Sequence, residues 1–497
     1  MSIEQKSLKQ IIDHRLEKLS ELRDEGVNPY PSSFNPTHFS ESIKLSYNEL
    51  EGENVIVAGR IMALRRMGKV SFFRIFDKEG GIQIFIKKDD IGQKPYECFK
   101  LLDIGDFVGI EGTVFTTKTG EISIRTLTIT ILAKSIRPLP IVKEKDGVTY
   151  DAFLDKEQRY RNRHLDLLLN PNVKNTFLKR TKIIWSIRKF LDDHQFLEVE
   201  TPVLQPIYGG ANARPFRTHH NTLDQTLYMR IADELYLKRL IIGGIDRVYE
   251  IGKDFRNEGI DRNHNPEFTM LEFYWAYADY EDCMNLVESL IKNAAKNIGA
   301  LRVSVNDFEI DLNRPFKRKR FTELLSEKLG YEFNDKSEDQ LKAICKEKGI
   351  EVESNTNIGQ MLDALMGELV EPSLIEPTFV IDYPKVISPL AKMHRNGDPS
   401  LVERFELFIG GSEFANSFSE LNDPIDQRKR LEEQACLRES GDEEAQNLDE
   451  NFVQALECGM PPTGGVGIGI DRLTMLLTGN RSIKDVILFP TLRSENS

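Results

Sequence analysis

Three stretches of the sequence gather residue types suited to phosphate chemistry. The first, RVYEIGKDFRNEGIDRNHNPEFTMLEFYWAY from Arg247 to Tyr277, reads as strand, polar loop, strand, with its turn built on Gly259 and Pro266. Period-two alternation sets Arg256 and Glu258 on one face of the first strand, and Phe268, Met270, Glu272 and Tyr274 on one face of the second. A guanidinium fork grips phosphate while an aromatic ring covers a base, so this face suits a nucleoside triphosphate bound without a P-loop. An ordinary antiparallel hairpin with one polar face is the alternative. In the second stretch, RFELFIGGSEFANSFSELND from Arg404 to Asp423, Asn416, Phe418 and Glu420 alternate on one face, and Glu406 and Glu413 flank a Gly410-Gly411 kink. Two carboxylates near phosphates suit Mg²⁺, a hard cation that takes oxygen ligands and keeps several waters; solvated surface glutamates have the same spacing. The third, PPTGGVGIGIDRLTMLL from Pro461 to Leu477, runs a glycine-dense strand into a helix whose first turn holds Arg472. Such a strand admits a ligand or another backbone closely, and a helix N-terminus beside an arginine favours phosphate.

The usual nucleotide loops are missing. Gly68-Lys69 and Gly252-Lys253 are not followed by Ser or Thr, no GxGxxG occurs, and GGVGIGIDR has the wrong spacing for a dinucleotide loop.

The elements that must carry these residues can be read along the chain. Lys6 to Glu25 has Ile11, Ile12, Leu16, Leu19 and Leu22 at helical spacing, an amphipathic helix that docks on another surface. From Asn54 to about Arg137 five short alternating runs, with turns at Gly68, Gly80-Gly81, Gly105 and Gly120, suggest a small closed β-barrel of the oligonucleotide-binding size. There Arg60, Arg65, Arg66 and Lys69 stand beside Phe72 and Phe73, the pairing of cations and rings that a single-stranded nucleic acid needs; rings packed under other elements beside solvated cations are the alternative. Adjacent Phe72 and Phe73 point to opposite sides of their strand, so one of them faces out. After Pro138 and Pro140, Arg159, Arg161, Arg163 and His164 crowd a connector that is either a charged helix or a phosphate contact. Val173 to Glu200 reads as one long helix running into Thr201-Pro202-Val203-Leu204, where the proline stops it. Asn306 to Pro377, with the basic run Lys317 to Arg320, reads as an inserted helical subdomain, and Glu432 to Glu450 as a solvated acidic helix and linker.

The 497 residues are 40% apolar and 29% charged, an ordinary globular composition. With 66 Lys+Arg against 79 Asp+Glu the net charge is -13, which excludes a globally basic nucleic-acid binder but not a local basic face. The N-terminus has no apolar signal region, and a cytoplasmic location is expected. The five cysteines form no CxxC, so neither structural zinc nor a disulfide framework is expected, and buried inert thiols are.

Taken in order, the three stretches match a known set. TPVL after a long helix resembles motif 1 of the class II aminoacyl-tRNA synthetases, FRNEG…HNPEFTMLEFY resembles motif 2, and GIGIDRLTMLL resembles motif 3. IADELYLKRLIIGGIDRVYEIGKDFRNEG and EFANSFSELNDPIDQ resemble the lysyl-tRNA synthetases in particular. The resemblance covers nearly the whole chain, including the barrel that this subgroup shares with the aspartyl and asparaginyl enzymes. It implies an α+β protein: an N-terminal helical extension over 1–50, an OB-fold anticodon-binding barrel over 51–137, a linker over 138–172, and a catalytic domain over 173–497. That domain would be an antiparallel sheet flanked by helices, with the helical insertion at about 306–377. It also implies a homodimer with motif 1 at its interface.

By carry-over from the family, Arg256 would hold the α-phosphate, Glu258 and His264 contact ATP, Phe268 stack on adenine and Arg472 hold the γ-phosphate. Glu406 and Glu413 match the Mg²⁺ ligands, with two or three ions accompanying ATP and Glu406 also an ATP contact. For lysine, Glu234 matches the α-amine position, Glu420 with Tyr274 and Glu272 would face the side-chain amine, Asn416 would orient the carboxylate, and Gly210 belongs to the same pocket. Phe72 and Gln83 resemble the anticodon contacts. Ser417 departs from the family, which usually has Gly or Ala there, and puts fine pocket geometry in doubt. The implied reaction is lysine plus ATP giving lysyl-adenylate and pyrophosphate, then transfer to the 3′ end of tRNA(Lys). The carboxylate nucleophile is already anionic, so no general base is required, only charge stabilisation and positioning. Aspartyl or asparaginyl specificity on the same frame, and a non-catalytic tRNA-binding relative, are the competing readings; keeping Arg256, Glu406, Glu413 and Arg472 together argues against the last.

Overall fold

The computed structural model describes residues 7–140, 143–145, 148–150, 153–333, 336–352, 356–439 and 445–495. The start of the N-terminal extension and parts of the expected linker, insertion and acidic stretch lie outside these. The chain divides into two compact units, Met1–Leu154 and Asp155–Ser497.

In the first unit five strands close a barrel in the order β1-β2-β3-β5-β4: β1 Asn54–Met67, β2 Val70–Phe76, β3 Gly81–Lys87, β4 Phe107–Thr116 and β5 Ile122–Ala133. All pairs are antiparallel except β3 with β5. Strict alternation fills the interior with Val55, Val57, Ile75, Ile82, Ile84 and Ile86, each at most 1% exposed. Helix α1, Leu8–Asp24, starts on a capping box between Ser7 and Gln10. It docks on the barrel through buried Leu22 and through Arg15, which donates to Ser135 O at 2.9 Å and Ile104 O at 3.0 Å. Helix α2, Gln93–Lys100, adds Tyr96 and Phe99 to the same core.

The second unit is built on one eight-stranded sheet. In chain order its strands are β6 Leu197–Glu198, β7 Arg247–Phe255, β8 Glu267–Ala276, β9 Lys317–Arg320, β10 Thr378–Pro384, β11 Leu401–Ile409, β12 Ser412–Ser419 and β13 Thr463–Gly469. Spatially they run β9-β10-β11-β12-β13-β8-β7-β6, antiparallel throughout except for the two short edges β9 and β6. Parity splits the sheet into two faces. One face carries Phe273, Phe405, Leu407, Val466 and Ile468 into the main core, covered by α3 (Pro171–Asp193), α5 (Tyr280–Asn297) and α6 (Ile470–Thr478). The other face is left to a cavity. Helix α5 begins on a capping box between Asp279 and Asp282 and buries Cys283, Met284, Val287, Leu290 and Ile291, the i, i+3, i+4 stripe of a core-facing helix.

Several sequence expectations are corrected. The helix from Pro171 stops at Asp193, not Glu200, because Gln195 takes a left-handed turn (φ 65) and Leu197-Glu198 pair with Val248-Tyr249 as a strand. Lys317 to Arg320 is no part of a helix: it is the outermost strand, where its charges guard an open edge. Arg163 of the connector is buried, donating to the Leu488, Ile487 and Lys484 carbonyls and to Asp166, a structural staple for the C-terminal segment. Cys436 and Cys458 are exposed, while the other three thiols are buried.

Candidate active site

Cross-strand register builds the site one row at a time. Glu406 faces Asn416, Asn416 faces Gly467, Gly467 faces Glu272 and Glu272 faces Glu250, a single row across five strands. The next row on that face runs Arg404, Phe418, Gly465, Tyr274 and Val248. Side chains on both flanks and glycines in the middle leave a trough, and above it is a cavity of about 370 Å³. Of the candidate residues, Gly210, Glu234, Arg256, Glu258, His264, Phe268, Glu272, Tyr274, Glu406, Glu413, Asn416 and Arg472 all line it. Glu420 does not. It is packed over Gly465, 1% exposed, with Oε1 where a Gly465 side chain would have to sit. Ser417 is fully buried on the core-side parity and touches no part of the cavity, so the one departure from the family pattern leaves the pocket unaltered.

At the outer end, Arg256 and Glu258 lie just past the last residue of β7, in the loop that leads to β8, and not on the strand itself. Arg256 is stacked 5.2 Å from the Phe268 ring centroid, and its Nε donates to Ile231 O at 3.4 Å. Arg472, in the first turn of α6, donates to Glu413 O at 2.9 Å and to His264 Nε2 at 3.0 Å. His264 Nδ1 is 2.8 Å from Asp261 Oδ2, so one chain of contacts ties the loop to the helix. Asp471 anchors that helix: it accepts from Thr269 N at 2.7 Å and pairs with Arg180 of α3 at 2.6 Å.

Glu406 and Glu413 stand on the hairpin whose turn is Gly410-Gly411, both at positive φ (61 and 77) as a two-residue hairpin turn demands. Glu406 accepts from the Tyr383 hydroxyl at 2.8 Å and pairs with Arg404 at 2.5 Å. Burial, opposed by Arg404 and reinforced by Glu413, pushes Glu406 up to about 7. Burial with the repulsion of Glu406 and Glu413 pushes Glu371 up to about 7 as well. Hard oxygen donors in a surplus of negative charge fit a Mg²⁺ ion. No group of three or more His, Cys, Asp or Glu forms a ligand cage among the described residues, so the protein would supply part of the shell and phosphate and water the rest.

The inner end is acidic. Glu234 opens helix α4, Glu234–Ile242, and Gly210 (φ 87) closes over it: a side chain there would meet Glu234 Cβ at 3.0 Å. Tyr274 donates to Glu272 at 3.2 Å. Burial first, then Asp254 and Glu234, holds Glu272 well above the usual carboxylate range. Two cations there carry no role in the sequence reading. Lys238 sends its ammonium between Glu234 and Glu420 and is fully buried. Arg230, also buried, pairs with Glu250 at 2.6 Å, Asp233 at 2.9 Å and Asp254 at 3.3 Å, and fills the space a Gly252 side chain would need. The spacing of Glu234 and Lys238 on one helix face was the available signal.

On the barrel, Phe72 faces outward and Phe73 is 2% exposed. Phe72 packs 5.1 Å from Phe85, which lies 5.9 Å from Phe115, and Arg125 is 5.6 Å from Phe85. Gln83 donates to Ser123 Oγ at 2.9 Å beside them. Phe85 is the cross-strand partner of Phe72 in the β2–β3 hairpin, a register the sequence reading did not work out, whereas Phe115 and Arg125 reach the patch only through the pairing of β3 with β5 and of β5 with β4. Two of the proposed cations are otherwise engaged: Arg60 donates to Gly105 O at 3.1 Å, and Arg66 to Leu102 O at 2.5 Å.

An antiparallel sheet with arginines from the β7–β8 loop and from the helix after the glycine strand, converging on one cavity, is the frame of a class II aminoacyl-tRNA synthetase. A profile of the family described as tRNA synthetases class II (D, K and N) matches residues 155–493, and one described as an OB-fold nucleic acid binding domain matches residues 55–139. The chain belongs to that class II family: it is an ATP-dependent ligase that activates an amino acid and charges tRNA. None of the helices among the described residues is long and apolar enough to cross a membrane.

Proposed function

We propose that this synthetase is specific for lysine. The observation that carries the reading is the inner end of the cavity, where Glu234 and Glu420 share the one ammonium of Lys238 and Glu272, hydrogen-bonded to Tyr274, stands beside them. Desolvating a second ammonium requires a paired acceptor, and a surplus of carboxylates supplies one. An aspartate pocket needs an unspent cation, whereas Arg404 is committed to Glu406 and Asn416, and Lys238 to two glutamates. In this reading the α-amine meets Glu234, the side-chain amine meets Glu420 and Glu272 beside Tyr274, and Asn416 orients the carboxylate within the pocket closed by Gly210. Arg256 holds the α-phosphate, Phe268 stacks on adenine, Glu258 and His264 contact the nucleotide, and Arg472 holds the γ-phosphate. Glu406 and Glu413 are the residues that would hold Mg²⁺, whose charge offsets that of the triphosphate.

The lysine carboxylate then attacks the α-phosphorus in line and pyrophosphate leaves; a terminal ribose hydroxyl of tRNA next attacks the acyl carbon, expelling AMP and losing its proton to solvent. The deciding measurement is ATP–pyrophosphate exchange with lysine, aspartate and asparagine in turn. Exchange driven by lysine supports the proposal, and exchange driven by either competitor overturns it.

The barrel patch of Phe72, Gln83, Phe85, Phe115 and Arg125 is the anticodon surface in this proposal. Stacking is worth about 1–3 kcal/mol per base, so Phe85→Ala should raise the KM for tRNA roughly tenfold and leave exchange, which needs no tRNA, unchanged. A fall in exchange would show that the substitution acts by misfolding.

The active form is a homodimer. Helix α3 leaves Leu178 and Trp185 exposed at 54% and 61%, with Leu197, Val203 and Leu204 exposed nearby in sequence, an apolar strip that a second copy would cover. Trp185→Glu should shift light-scattering mass from dimer to monomer; an unchanged mass counts against this interface.

A further inference from the structure

The lysine reading assigns no part to Lys238, although a fully buried ammonium is costly to retain without one. Its Nζ pairs with Glu234 one helical turn earlier and with Glu420 from beyond the end of β12. Two carboxyl groups share one ammonium, so the triad carries a net charge of −1 once both are ionised. Glu420 accepts no hydrogen bond on Oε1, which lies against the position a Gly465 side chain would occupy and beside the Tyr274 ring. The triad is thus short of one donor, next to the cavity wall.

We infer that Lys238 is a built-in counter-ion of the amino-acid pocket: it pulls Glu234 and Glu420 toward their ionised forms and aims them, and so sets the preference for an amino acid with a second ammonium. It is a positioning residue, since it acts through the two glutamates and has no place on the cavity wall. The inference rests on the lysine reading and deepens it.

The groups around the triad define what happens without it. Glu272 and Tyr274 face it from β8, and Arg404 acts on Glu234 from β11. From the helices, the Phe452 ring is 5.9 Å from Nζ and the Cys283 thiol is held neutral by burial. None of these supplies a cation in contact with Glu420. Burial already pushes Glu420 up to about 8, against the pull of Lys238. With Lys238 neutralised that pull is lost, Glu420 holds its proton to higher pH, and substrate binding must expel it at greater cost.

The test is lysine-dependent ATP–pyrophosphate exchange by the full-length wild type and Lys238→Met from pH 6.5 to 9. The expected ratio of variant to wild-type KM for lysine is at least tenfold at pH 6.5 and below threefold at pH 9, with the KM for ATP unchanged. Dividing by the wild type cancels titration of the free amino acid. A ratio near one at every pH, or one raised equally at every pH, overturns the inference. Should Lys238→Met fail to fold, Lys238→Gln keeps two donors without the charge and is held to the same pH-dependent ratio. Wild-type enzyme that activates aspartate or asparagine in place of lysine refutes the underlying specificity instead, so the two failures are separate outcomes.

Discussion

Arg256→Ala should lower ATP–pyrophosphate exchange by about 10³-fold, the scale of losing an arginine that meets charge developing on a transferring phosphoryl group. The side chain is preorganised by the Phe268 ring at 5.2 Å and the Ile231 carbonyl, so little reorganisation is needed as the pentavalent phosphorus forms. It lines the cavity outside the hydrophobic core, and the melting temperature should move by no more than a surface substitution moves it. The kinetic signature is a fall in kcat that outweighs the rise in the KM for ATP, because the interaction strengthens at the transition state. Activity within tenfold of wild type would remove Arg256 from the reaction.

Glu420→Gln should raise the KM for lysine about 100-fold while that for ATP stays within about threefold. A charge-assisted hydrogen bond to a desolvated ammonium is worth ~3 kcal/mol, and a neutral amide replaces it with a weaker dipole. The variant should fold, because the amide oxygen can still accept from Lys238 and no volume is lost at a fully buried site. Equal losses for both substrates would mean that Glu420 supports the cavity wall and does not select the amino acid.

Features with a local cause are legible in the sequence. The barrel strands show period-two alternation with a glycine at each turn, and Phe268 through Tyr274 fall on the face that alternation assigns. Gly410-Gly411 marks a hairpin turn because its φ values suit glycine. Elements whose bounds depend on distant partners were not legible. Nothing in the run from Val173 to Glu200 says that Leu197 and Glu198 will pair with β7, and the KRKR run becomes a strand only because β10 offers it an edge. The partners of charged groups were hidden for the same reason. Lys238 reads as a solvated helix residue until Glu420, far along the chain, closes on it.

The glycine strand β13 has a consequence for how this enzyme can change. Val466 and Ile468 point into the core, while Gly467 and Gly469 present bare peptide to the cavity and Gly465 yields its side-chain space to Glu420. Cohesion and ligand recognition therefore occupy alternate positions of one seven-residue segment. Mutational drift at even-numbered sites is penalised through thermostability and at odd-numbered sites through substrate fit, so the two traits can be tuned independently along a single strand.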